Sequence, residues 1–80
     1  MEDERIHDQI DRLVAEEQEL YQRAAGIGLN ESEDNRLDAI GVSLDQCWDL
    51  LRQRRALREA GLDDDAARVR DPDVVERYEQ

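Results

Sequence analysis

The stretch LDQCWDLLRQRRALREAG, Leu44–Gly61, gathers Cys47, Trp48 and the arginines Arg52, Arg54, Arg55 and Arg58. Clustered guanidiniums can grip phosphate or a carboxylate-rich partner through paired hydrogen bonds. The same run has a structural meaning. Cations favour the negative end of a helix dipole, and an antiparallel partner helix would bring Glu2, Asp3 and Glu4 alongside. Arg55 and Arg58 also continue the apolar side past Leu51, so their stems can cover the end of the seam. A charge run on a helix is most often a solvated face, which makes the structural reading the stronger of the two.

Other reactive types fare less well. Glu4 and His7 have the Glu-x-x-His spacing of carboxylate-bridged di-iron bundles. Such ligands must point inward, but Ile6 and Ile10 take the inner face and Glu4 lies roughly 140° from it. Cys47 adds no ligand at metal-site spacing. Neither a metal nor any other cofactor is expected. Cys47 has no second cysteine or basic neighbour group to lower its pKa, and its place on an apolar stripe marks a small core residue. Trp48 can be a binding hot spot, although its stripe position favours packing or a dimer contact. His7 is the only histidine, no Ser-His-Asp set can be assembled, and Gly26-Ile27-Gly28 falls between helices rather than after a strand. The chain is therefore not expected to be an enzyme.

The elements that hold these residues are helical. Ile6, Ile10, Leu13, Leu20 and Ala24 step at heptad spacing over residues 3–25, with Glu17 in the missing seam place and Val14 and Tyr21 flanking it. A charge at a seam position is costly unless paired, and Arg36 across the turn is the expected partner of Glu17. Gly26 and Gly28 can end the first helix. Asn30 or Ser32 can cap the second helix, over residues 31–60, and Asn30 with Glu33 three residues later is close to a capping box. There Leu37, Ile40, Leu44, Cys47 and Leu51 keep the 3-4 rhythm, and Gly61 stops it. Gly41, on the apolar side, marks either a close helix approach or a tolerated weak point.

The short connection implies an antiparallel hairpin over residues 1–61, with Leu20 facing Leu37, Leu13 facing Leu44 and Ile6 facing Leu51. Residues 62–80 form an acidic tail. Asp71 as cap and Pro72 at the first helical place predict a short helix over about 72–79, with Val74, Val75 and Tyr78 on one side. Two helices alone make a thin core. Leu50 and Leu57 lie on another side of helix 2 and need cover, from the tail or from a second copy. The fold class is thus all-α: a two-helix hairpin with a tail, expected to pair as a homodimeric four-helix bundle. Trp48, Leu50, Leu57 and Tyr21 are the candidate interface residues.

The bulk composition narrows function further. The 80 residues carry a net charge of −11 with 41% charged side chains, and every cation is arginine. Such a charge repels phosphate backbones and anionic lipid, which disfavours nucleic acid and membranes. No apolar run approaches the roughly 20 residues of a membrane span. The acidic start MEDERIHDQID does not read as a signal peptide, and a lone cysteine fits a reducing compartment, so a cytoplasmic protein is expected.

Cys47 to Arg55, CWDLLRQRR, together with the later ARVRDPDVVERY, resembles a family of short actinobacterial proteins known only as a domain of unknown function. The resemblance spans nearly the whole chain and carries over no activity, substrate or functional residue. It implies that the tail through Tyr78 belongs to the domain. The function that emerges is a small interaction or adaptor protein with an unknown protein partner. The alternative is a regulator that binds nucleic acid or an anionic ligand through Arg52, Arg54, Arg55 and Arg58.

Overall fold

The computed structural model describes residues 2–78, with side chains from residue 3 to residue 75. The chain is all-α. Helix α1 spans Glu2–Gly26, α2 spans Glu31–Glu59, a 3-10 turn covers Asp64–Ala66, and α3 spans Pro72–Tyr78. The expected pairing role of Glu2, the side on which Tyr78 points, and the helix end at residue 79 lie outside the described residues.

Local chemistry sets the boundaries. At the end of α1 the N–H groups of Ile27 and Gly28 both donate to the Arg23 carbonyl, at 2.9 and 3.0 Å. Gly28 then turns the chain at φ 85°, a left-handed conformation that glycine adopts without strain. Asn30 opens α2 with a full capping box. Its side chain accepts from the Glu33 N–H at 2.8 Å, and Glu33 accepts from the Asn30 N–H at 3.1 Å. Leu62 N–H donates to Leu57 at 2.8 Å across Gly61, whose φ is 75°; this is a Schellman-type stop. Asp71 caps α3 by accepting from the Asp73 N–H at 3.0 Å.

The hairpin is antiparallel, as Arg54 pairing with Asp3 and Arg23 pairing with Glu33 require. Ile6, Ile10 and Cys47 form the buried seam, flanked by Leu13, Val14, Leu44, Leu50 and Leu51. After Gly61 the chain reverses, and both the 3-10 turn and α3 pack on α2. The tail therefore folds back on its own hairpin. It runs beside Leu50, where Ala67 and Arg68 sit, and buries Val75 to 2% exposure. The molecule is a rod of 50 × 25 × 19 Å.

Gly41 does not mark a close approach. A Cβ built on it meets no atom within 4 Å.

Candidate functional site

The arginine-rich end of α2 divides into two chemical populations. Arg54 is the buried one, at 5% exposure. Its guanidinium donates to the Asp3 carboxylate, to the Asp64 carbonyl at 3.0 Å and to the Asp65 carboxylate at 3.3 Å. Arg58 joins the group through Asp64 at 2.9 Å and Asp3 at 3.1 Å. Hydrogen bonding from Arg54 outweighs the effect of burial and holds the Asp3 carboxyl below its ordinary range. These two arginines clamp the start of α1, the end of α2 and the tail together. The expectation that Arg55, with Arg58, would shield the seam needs correction. The heptad rhythm continues from Cys47 and Leu51 to Arg54 and Arg58, and Arg55 falls about 100° away on the exposed side.

A second polar centre ties the tail to α2. Asp49 is fully buried. Arg70 meets it with two bonds of 2.7 and 3.0 Å, and Gln53 donates at 2.8 Å. Burial pushes the Asp49 carboxyl up, but the bonds from Arg70 and Gln53 and the charges of Arg70 and Arg52 overcome this and leave it below its usual value. Gln46 donates to the Arg70 carbonyl at 3.1 Å, and Gln53 exchanges bonds with the Arg68 backbone in both directions. The signal for this strap was present in the sequence. Gln46, Asp49 and Gln53 recur at helical spacing on the side of Leu50 and Leu57 that needed cover.

The remaining arginines face outward. Arg52 lies 3.8 Å from Asp49, a carboxylate already engaged by Arg70. Among the described residues Arg55 makes no ion pair or hydrogen bond. Together with Arg58 they edge a groove of about 300 Å³. Trp48 and Leu51 form its apolar floor, while Asp3 and His7 of α1 form the opposite wall. Trp48 is 45% exposed, and His7 meets it edge-on, with ring centroids 6.4 Å apart and planes at 77°. The groove thus joins a half-open indole, a leucine and cations with spare hydrogen-bonding capacity.

The other anticipated residues are dispersed. Leu50 is half-buried against the seam, Leu57 is half-buried, and Tyr21 is 55% exposed near the turn. Glu17 is half-buried, but Arg36 pairs with Glu16 instead, through bonds of 2.6 and 2.7 Å. Arg36 reaches Glu16 across the hairpin, one residue and about 100° of helix away from the heptad place of Glu17. Cys47 is 8% exposed, and burial pushes its thiol pKa up, away from the reactive thiolate. Glu4 and His7 are both exposed. Among the described residues Asp63, Asp64 and Asp65 bring carboxylates close enough to share an ion. Asp64 and Asp65 are engaged by Arg54 and Arg58, and Asp63 caps the 3-10 turn.

With this geometry in place, comparison with known proteins gives one family. The family described as "Protein of unknown function (DUF2630)" matches residues 2–80. The chain belongs to that family. An uncharacterized protein of Mycobacterium bovis is 54% identical over 67 residues, covering 82% of this chain and 77% of the relative. An uncharacterized protein of Mycobacterium tuberculosis matches to the same extent. No solved structure matches the chain. Among the described residues no helix is long and apolar enough to cross a membrane.

Proposed function

We propose that this member of the family is a small, non-enzymatic interaction protein that holds a partner protein at the groove of Trp48, Arg52 and Arg55. One observation carries the reading. In a chain of net charge −11, Arg55 has no carboxylate partner among the described residues, and it stands beside a half-exposed tryptophan. Tryptophan and arginine are the side chains most enriched where binding energy concentrates. The net charge argues against nucleic acid as the occupant, because a polyanion meets repulsion over most of the surface. A cytoplasmic setting goes with this reading, since a lone buried thiol suits a reducing compartment.

The test is capture of a partner from the native extract by the wild-type chain and by the Arg52→Gln, Arg55→Gln double variant. Capture should weaken with salt and disappear in the double variant, while the melting temperature falls only slightly through the lost Arg52–Asp49 pair. Equal capture by both proteins rules the groove out.

Self-association is the second reading. Tyr21 at 55% and Ile27 at 88% exposure leave apolar surface near the turn that a second copy can cover. A melting temperature that rises with protein concentration supports pairing. Sedimentation as a monomer at high concentration removes it.

A further inference from the structure

Resting on the reading of the Trp48 groove as a partner site, we propose that its occupant is an acidic α-helical segment. That segment lays an apolar side chain on Trp48 and Leu51 and sets carboxylates, one and two turns further on, against Arg52 and Arg55.

Charge complementarity selects the acid. Arg52 shares its nearest carboxylate with Arg70, and Arg55 has none among the described residues. A guanidinium fork is most strongly satisfied by a carboxylate that accepts two bonds. Asp3, the carboxylate that lines the groove, does not compete, since it is held by Arg54 and Arg58.

Spacing selects the helix. Trp48, Arg52 and Arg55 follow an i, i+4, i+7 pattern on one face of α2, rising by about 6 Å and then about 4.5 Å along the axis. A helix laid alongside repeats that rise, so its side chains at the same intervals stay level with the three groups. An extended strand repeats a face only every ~7 Å and drifts out of step by the second carboxylate. The groove lies between the start of α1 and the end of α2, the kind of seam in which a third helix seats its ridge.

Trp48 is the only tryptophan, so its fluorescence reports directly on occupancy. The probes are alanine-based helical peptides of identical composition. One carries leucine followed by glutamates one and two turns on; another moves the glutamates to the opposite face. A further version of the first has glutamine for glutamate, and a single-stranded DNA oligonucleotide completes the set. The in-register peptide should bind, and the shifted peptide should bind at least about tenfold more weakly. The glutamine peptide should not bind. Arg52→Gln combined with Arg55→Gln should abolish binding with the circular dichroism spectrum unchanged.

Equal binding of the shifted peptide overturns the helical register and leaves the groove standing as a site for acidic protein. Binding that survives loss of both arginines, or no binding by any peptide, overturns the groove reading as well. An oligonucleotide that binds more tightly than the in-register peptide overturns the choice of a protein occupant.

Discussion

The two ends of the rod are built differently from the same helices. Near the termini Ile6, Ile10, Cys47, Asp49, Arg54 and Val75 are all buried. Toward the turn no residue between Asp11 and Ala39 is buried, and Ile40, at 0% exposure, stands at the boundary. The heptad steps run through both halves, with Glu17 taking a seam place toward the turn. The difference is the tail, which adds a third layer to one half and leaves the other as two bare helices. Periodicity therefore sets which side of a helix is apolar, while the number of layers sets whether that side is dry.

The contrast between the halves is steepest in the seam. Ile10→Ala should destabilise by about 2–5 kcal/mol through the cavity it opens, whereas Tyr21→Ala near the turn should stay within about 0.5 kcal/mol. Denaturant titration of both variants checks the contrast, and equal losses would mean the turn half is as well packed as the terminal half.

The Asp49–Arg70 strap holds the tail on α2. Arg70→Gln leaves the buried Asp49 carboxylate with Gln53 and the more distant Arg52, and should cost on the order of 2–3 kcal/mol. Replacing the pair together, Asp49→Leu with Arg70→Met, should recover most of that loss, since apolar isosteres of a buried pair are often no less stable. A double variant no better than the single one would show that the strap needs its charges.

Acid should act on both halves. Asp3 and Asp49 near the termini, and Glu16 and Glu33 near the turn, are all held below their ordinary values by arginine or backbone donors. Each contributes stability that is complete above the unfolded-state pKa of about 4. That contribution is lost as pH falls further, through the lowered folded-state values. Melting curves between neutral pH and about pH 3 should show the decline, and Asp49→Asn should remove the part due to Asp49.

Gly41 lies just past the boundary. Gly41→Ala should stabilise by about 0.5–1 kcal/mol, because the helix gains propensity and the new methyl meets open space. A loss instead would reveal a contact on that face. The smallest effect belongs to Arg36→Gln. It removes the exposed pair with Glu16, and the difference from wild type should vanish in high salt.

The helices were legible because their signals are local. The Asn30–Glu33 box, Gly28 and Gly61, and the Asp71-Pro72 start all act within one turn of the chain. The arginine face was only half legible. Following the 3-4 rhythm one step further separates Arg54 and Arg58 from Arg55, but a step taken from Leu51 by four lands on Arg55. The Asp49–Arg70 pair is harder to see. Its partners are joined through a turn and an irregular stretch, and no period links a helix position to a loop arginine. Leu50 and Leu57 announced that something must cover that side, without saying what.

Arg54 has a consequence for how the molecule opens. It reaches Asp3 across 51 positions of sequence and reaches Asp64 and Asp65 from the same guanidinium. Contacts of that separation form late, after loop closure has been accomplished. The first turn of α1 and the start of the tail are thereby joined into one opening unit. Amide hydrogens in the two segments should exchange at a common rate, and loosening either end by truncation should accelerate exchange at the other.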